Sequence, residues 1–254
     1  RHLVQKAILA PEVLSHEDSF PLPLDSVTEA VKTVLDGHKG LELLFAQPER
    51  ALPLLRQAYA RVERGQDRFK YAHILALMGD PSGASDLAVA LKSKDWDEGW
   101  QYRGMGQFGP SMSPVDSLII ALGRTRVDLA LEPILAKLGQ LGSDQPFSHH
   151  RAVALALEML NQAQAAKALA DLLAKPKMTG HAFTDIEVAR ANIQPSSTDN
   201  STRENSLREL VLARALYRCG DHNGVGERIL RAYARDLRGH YRRHAQAILA
   251  ESRD

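Results

Sequence analysis

Four times along the chain an Ala- and Leu-rich helix end is followed by a turn and the start of a second helix: His73–Asp80, Leu118–Arg124, Ala152–Leu160 and Leu210–Asp221. The best copy runs Ala121-Leu122-Gly123-Arg124-Thr125-Arg126-Val127-Asp128-Leu129-Ala130-Leu131-Glu132-Pro133-Ile134-Leu135. One helical hairpin cannot bury its own apolar face, so a chain that repeats one must stack about three or more copies around a continuous core. The recurrence therefore predicts an all-α, right-handed solenoid of helical hairpins, forming a single domain over 1–254. With Ala76, Ala121, Ala156 and Ala215 taken as equivalent points, the intervals are 45, 35 and 59 residues. The short interval implies a compact unit and the long one an insertion.

A hydrophobic content of 44% and a charged content of 25% match an ordinary globular chain with enough apolar material for such a core. No apolar run reaches 18 residues, so no membrane span is expected. A formal charge of +1 gives no global argument for nucleic acid or for acidic substrates. The single cysteine, Cys219, rules out an intramolecular disulfide and a Cys-rich zinc site. It follows Arg218 at a helix end, where the dipole opposes a thiolate, so a buried structural thiol is expected. The chain opens at Arg1, which leaves the compartment open, since a targeting segment ahead of it would not be seen.

Residues 1–25 read as irregular because Pro11, Pro21 and Pro23 bias their predecessors away from helix. Ser26-Val27-Thr28-Glu29 has the capping-box pattern for a helix running to about Asp36. Pro48 presets the next helix, Leu52, Leu54, Leu55, Tyr59 and Val62 fall at helical spacing, and Gly65 ends it. A hairpin is predicted over Phe69–Met78 and, after the Asp80-Pro81 start signal, Ser82–Leu91, with Ile74, Leu75, Leu77, Leu87, Val89 and Leu91 as its core. Ser113-Pro114 restarts regular structure after a first inserted loop near 94–112. Hairpins follow at about 114–140 and 148–174, with Ser148 as a cap. A second inserted loop occupies 175–205, ordered over Thr179–Ile193 and loose over Gln194–Asn205, which lacks core-forming side chains. Ser206-Leu207-Arg208-Glu209 reads as another capping box, opening helices at about 206–219, 223–237 and 240–252.

The first inserted loop packs four glycines and four aromatics into the fifteen residues from Trp96 to Pro110. Gly104-Met105-Gly106-Gln107-Phe108-Gly109 matches G-x-G-x-x-G, but that motif cradles a pyrophosphate only after a strand and at the start of a helix. Aromatics precede it here, Pro110 follows, and no βαβ pattern exists in the chain. Trp96, Trp100, Tyr102 and Phe108 offer stacking faces, Arg103 a guanidinium and Gln107 an amide, a mixture suited to sugars, planar ligands or protein contacts. The same residues would equally serve to cap the edge of the core. His149-His150-Arg151 opens a helix and His181 lies in the second loop. These groups meet the aromatic loop if both insertions gather on one face. Adjacent helical histidines point about 100° apart and no carboxylate or cysteine completes a recognised spacing, so anchoring hydrogen bonds are favoured over a metal. His240 and His244 share a helix face but lack the glutamate of a zinc-protease motif, and no nucleophile elbow occurs. No catalytic residue, metal or bound cofactor is assigned to this chain.

Arg228, Arg231, Arg235 and Arg238 fall at i, i+3, i+7 and i+10 along a predicted helix, with Arg242 and Arg243 just beyond. From Asn205 onward there are ten Arg, no Lys and six acidic residues. Such a stripe can neutralise phosphates, but Glu227, Asp236 and Glu251 are close enough to pair with it, so salt bridging is preferred and nucleic acid is not the expected partner.

Two blocks carry a family resemblance: Gly99-Trp100-Gln101-Tyr102-Arg103-Gly104-Met105-Gly106-Gln107-Phe108-Gly109 through Ser113-Pro114-Val115-Asp116-Ser117-Leu118-Ile119-Ile120-Ala121-Leu122-Gly123-Arg124, and Phe147-Ser148-His149-His150-Arg151-Ala152-Val153-Ala154-Leu155. They resemble the C-terminal HEAT-like repeat region of predicted bacterial FAD-dependent oxidoreductases, over most of residues 45–254. Asp128-Leu129-Ala130-Leu131-Glu132-Pro133-Ile134-Leu135 resembles HEAT repeats generally, where it stands for hairpin packing. The resemblance implies a noncatalytic interaction or substrate-positioning module, with FAD held by a domain upstream of the repeats and not by this chain. The implied partner is that flavoprotein domain or another protein, and the family supplies no catalytic residue for this region. A standalone protein-interaction scaffold and a nucleic-acid-binding repeat protein using the C-terminal arginines are the alternatives.

Overall fold

A computed structural model describes residues 24–37, 39–63, 65–100, 112–192 and 201–251. Among them the chain is all-helical, with thirteen α-helices, three short 3-10 turns and no strand. No helix in that set is long and apolar enough to cross a membrane. The helices are α1 (Leu24–Thr33), α2 (Leu41–Ala46), α3 (Pro48–Arg61), α4 (Gln66–Leu77), α5 (Ala84–Ser93), α6 (Pro114–Arg124), α7 (Leu131–Gly139), α8 (Phe147–Leu160), α9 (Gln164–Leu173), α10 (Ile186–Asn192), α11 (Ser201–Arg218), α12 (Val225–Tyr233) and α13 (Gly239–Ala250). The chain groups into two compact units. One holds the described residues up to Asp95 with Ser117–Pro133, and the other holds Trp96–Asp116 with the residues from Ile134 onward.

In the first unit α3 begins with Pro48 at its N-terminus and buries Ala51, Leu55 and Tyr59, a stripe at four-residue spacing. It packs on α1 and α4, and α4 packs in turn on α5. Asp80 caps the 3-10 turn Pro81–Gly83 by accepting the Ser82 amide at 2.9 Å. Gly83 then lies so close to α4 that a Cβ there would stand 2.4 Å from the Ala72 Cβ and 2.6 Å from its Cα. In the second unit α11 packs against α8, α9 and α12, and α12 against α13. The turn before α12 repeats the device of the first unit: both carboxylate oxygens of Asp221 accept amides, from Gly226 at 2.6 Å and Glu227 at 3.0 Å.

The four alanines that align the sequence copies, Ala76, Ala121, Ala156 and Ala215, are fully buried, on α4, α6, α8 and α11. The hairpin expected at 69–91 forms as α4 and α5, and Ile74, Leu75, Leu77, Leu87 and Leu91 are buried. Val89 is instead 69% exposed. Two capping boxes are corrected. Ser26 lies inside α1, which starts at Leu24, and Ser206 lies inside α11, which starts at Ser201. The Ser206 hydroxyl donates back to the Thr202 carbonyl at 2.8 Å, the use of a mid-helix serine rather than a cap. Residues 201–205, expected loose, therefore belong to a helix, as do Leu24 and Asp25 of the segment 1–25 expected to be irregular, while 1–23 and 193–200 lie outside the described residues. The arginine stripe is not on one helix, because α12 ends at Tyr233 and α13 begins at Gly239. Cys219 is buried, and burial pushes its thiol up to about 12, as expected of a structural thiol.

The close approach at Gly83 gives a direct check. Gly83→Ala is expected to lower stability by about 2 kcal/mol in urea unfolding, because the added methyl meets α4 backbone that cannot move aside as a side chain could.

Candidate functional site

The N-terminus of α6 is closed by a reciprocal cap. The Ser113 hydroxyl accepts the Asp116 amide at 3.1 Å while an Asp116 carboxylate oxygen accepts the Ser113 amide at 2.8 Å. That arrangement leaves the other carboxylate oxygen of Asp116 inside the protein, where His149 Nδ1–H of α8 donates to it at 2.6 Å. Both side chains are buried, at 0% and 1% exposed. The Ser148 hydroxyl also bonds to Asp116. Burial opposes ionisation of this carboxyl, but His149, the Ser113 amide and Ser148 together outweigh it and hold its pKa below the ordinary carboxylate value.

The segment Trp96–Trp100 lies against this node. The Trp96 ring stacks on His149 with centroids 4.2 Å apart, and the buried Lys137 ammonium stands 5.3 Å from the Trp96 centroid. An oxygen of Asp97 accepts the Val115 amide at 3.1 Å, adding a second contact to the start of α6. The Trp100 amide donates to the Ser148 hydroxyl at 2.8 Å, and the Trp100 carbonyl accepts the Ser148 amide at 3.1 Å. Gly99 must be glycine for this fit, since a Cβ would stand 2.5 Å from the Pro146 ring and 2.6 Å from His149 Cε1. One buried carboxylate thus joins the stem that ends at Trp100 to the stem that restarts at Ser113.

Trp96 thus meets His149 through its ring and Trp100 meets the neighbouring Ser148 through its backbone, with both tryptophans half-buried. His149 and His150 are corrected from surface groups to buried ones. His150 sits 100° around α8 from its neighbour, with Nδ1 3.0 Å from the Pro146 carbonyl and Nε2 3.0 Å from that of Gly142. Desolvation, with the nearby Arg208 guanidinium and His149, outweighs those acceptors and lowers His150 to about 4. The Arg151 guanidinium lies 5.6 Å from the Phe147 ring. Tyr102, Arg103, Gln107 and Phe108 lie outside the described residues.

His181 joins a different cluster. Its ring donates to the Lys177 carbonyl, and the amides of Gly180 and His181 donate to Glu209 at 2.9 and 2.8 Å. The Tyr233 hydroxyl also donates to Glu209, and the His181 carbonyl accepts from Ser206 and Arg238. None of these bonds goes to Trp96 or His149. Arg238 is drawn into the same cluster, paired with the buried Asp236 at 2.7 Å and held between the Phe183 and Tyr241 rings at 4.4 and 4.3 Å. Arg231 pairs with Glu227, while Arg228, Arg235, Arg242 and Arg243 are exposed. Among the described residues no group of three His, Cys, Asp or Glu side chains is arranged to hold a metal.

Asp116, Asp97 and Lys137 are the site residues that sequence reasoning did not single out. The Ser-Pro-x-Asp spacing of 113–116 was the available signal for Asp116, since it is a capping box with aspartate in the glutamate position. In the first unit an open groove of about 520 Å³ is lined by Glu63, Gly65, Arg68, Phe69, Asp86 and Val89. Arg68 there is committed to Asp86 and to the Tyr59 hydroxyl. Comparison with protein-family models, with curated proteins and with solved structures gives no match.

Two stability measurements probe the node at separate pH ranges. Asp116→Asn is expected to cost about 3 kcal/mol at neutral pH, because it replaces a buried carboxylate that accepts from the Ser113 amide and the His149 ring with a weaker acceptor. Its folded pKa lies below the unfolded 3.8, so the Asp116 contribution is complete above 3.8 and fades below it. The gap between variant and wild type in urea midpoints should therefore close only in that acid range. His150 behaves at higher pH. Unfolded chains take up its proton near 6.5 and folded ones only near 4, so wild-type stability should fall by about 3 kcal/mol as pH drops across that window. His150→Gln should flatten this part of the profile; an unchanged slope would contradict the assignment.

Proposed function

We propose that this chain is a HEAT-like module, its hairpins stacked as a right-handed solenoid, that positions a partner or substrate for a FAD-dependent oxidoreductase and makes no bond itself. The stacking is supported by the four equivalent alanines, each buried on a helix that precedes a turn and another helix. Repeat modules of this kind present recognition residues from connections held on a rigid helical base. The oxidoreductase context rests on the resemblance of the 99–124 and 147–155 blocks, and FAD belongs to the upstream domain that this resemblance implies.

The observation that carries the positioning role is the clamping of both stems of the 101–111 stretch to Asp116 and its neighbours. Trp100 is bonded through Ser148, and Ser113 directly. A recognition segment whose stems are fixed loses less conformational freedom on binding. Tyr102, Arg103, Gln107 and Phe108 are then the recognition side chains, and Asp116, His149 and Gly99 set the stems without touching the partner.

The test is association in trans. The flavin-binding domain encoded upstream, expressed separately and loaded with FAD, should co-elute with this chain. Tyr102→Ala, Arg103→Ala and Phe108→Ala in combination should abolish co-elution while leaving the urea midpoint unchanged. Gly99→Ala should weaken both association and stability, since it forces Trp96–Trp100 off His149. A complete gene product that encodes no dinucleotide-binding domain and carries no flavin would remove the oxidoreductase assignment.

A further inference from the structure

Of the acidic residues that the sequence sets against the C-terminal arginines, two pair within the stripe, as expected, and the third pairs with Arg218. Glu227 pairs with Arg231, Asp236 is buried against Arg238, and Glu251 accepts Arg218 at 2.6 Å. Glu209 and Asp221, the other described acidic residues after Asn205, are buried and accept backbone amides. Arg228, Arg235, Arg242 and Arg243 are left exposed with no ion-pair partner among the described residues.

These four lie on neighbouring elements. Arg228 is on α12 and Arg235 two residues past its end, about 10 Å further along the helix direction. Gln246 of α13 donates to the Ala234 carbonyl, which sets the face of α13 one turn earlier, bearing Arg242 and Arg243, beside Arg235. The other exposed side chains of α13 are His240, Gln246, Ala247 and Ala250, so no long aliphatic or open aromatic anchor stands beside Arg242 and Arg243 on that helix. Of the exposed large apolar groups of this unit, Ile186 and Val188 belong to the Phe183–Asn192 stretch, and Leu237, in the turn between α12 and α13, is the one such described group beside the cations. Protein interfaces are centred on apolar anchors, whereas a phosphodiester backbone asks only for spaced, permanently charged donors. Guanidinium forks match phosphate oxygens two at a time, and the region from Asn205 onward uses Arg throughout and no Lys.

We propose that the exposed face formed by α12, its C-terminal turn and α13 binds the phosphate backbone of nucleic acid through Arg228, Arg235, Arg242 and Arg243. Binding is independent of base sequence, because exposed guanidinium groups that neutralise phosphates carry no base readout.

Fluorescence anisotropy of the full chain with a labelled random-sequence duplex of about 20 base pairs, and with a single-stranded RNA of similar length, tests this. Binding to at least one probe at about 50 mM salt is expected, with log K falling against log salt at a slope of about −3 to −4, as four phosphate contacts require. Arg228→Ala with Arg235→Ala, and separately Arg242→Ala with Arg243→Ala, should each flatten that slope by about 1.5 to 2. Lysine at the same positions should retain it. Arg231→Ala, which removes a cation already paired, should change it least. Absence of binding to both probes at about 50 mM salt, or a slope that neither double variant alters, overturns the proposal. So does equal competition by polyglutamate of matched charge, which would assign the face to an acidic protein.

Discussion

Backbone amides that leave a helix and enter the interior need acceptors, and in this chain buried carboxylates supply them. Asp80 takes the Ser82 amide, Asp116 that of Ser113, Glu209 those of Gly180 and His181, Asp221 those of Gly226 and Glu227, and Asp236 those of Phe183 and Arg238. Glu158, a further acidic side chain buried among the described residues, pairs instead with Arg214 and Arg218. Each of the five would be costly to desolvate alone, since an ionised group loses its hydration and regains it only through fixed donors. The donors here are amides of connections and, for Asp221, of the first turn of α12, so ionisation of the carboxylate and ordering of the chain around it stabilise each other. Asp116 carries this furthest, because it holds a helix start, a histidine of another helix and, through Ser148, the stem at Trp100.

That dependence explains which parts of the molecule were legible in the sequence. Helices announced by a proline at the first turn, by apolar residues at four-residue spacing or by Asp-Pro fall close to where the sequence puts them, as α3, α5 and α6 show. The misplaced capping box at 206–209 has a visible cause. Ser-x-x-Glu is a local pattern, and whether it caps depends on what else competes for those two side chains. At 206–209 the competitors are remote: Glu209 receives amides from 180 and 181 and the hydroxyl of Tyr233, and Ser206 bonds to the carbonyls of Thr202 and His181. No pattern of spacing near Ser206 records those partners. Val89 is the corresponding error in packing, a β-branched residue at core spacing that lines an open groove instead.

The same division runs through the site. Trp96, Trp100 and His149 were recognisable because unusual residues cluster in sequence; Trp96 packs on His149, and Trp100 is tied by its backbone to Ser148 beside it. Asp116, the group that organises them, is 33 residues from His149 and reads locally as an ordinary first-turn acid. His181 was grouped with them only because it sits in a long connection. Its amide instead answers to Glu209, 28 residues away. Long-range pairing between a buried acid and a loop amide leaves almost no trace in local residue spacing, which is why the anchors of both connections escaped sequence reasoning while the connections themselves did not.

The use of acids inside also changes how charge is distributed outside. A formal sum of +1 over the whole chain describes a nearly neutral protein only if both signs are equally available to solvent. They are not, because Asp80, Asp116, Glu209, Asp221 and Asp236 are withdrawn to satisfy backbone and buried side chains. Arginine can rarely be withdrawn in the same way. Its fork must find several acceptors at once, as Arg208 does at the Ser143 and Lys177 carbonyls and the Asn205 amide oxygen. Arginines without such a setting stay at the surface, and in the C-terminal helices the remaining described acids, half-buried Glu227 and exposed Glu251, are already paired. The positive face of α12 and α13 is thus a consequence of how the interior is satisfied, and the near-neutral sum conceals it.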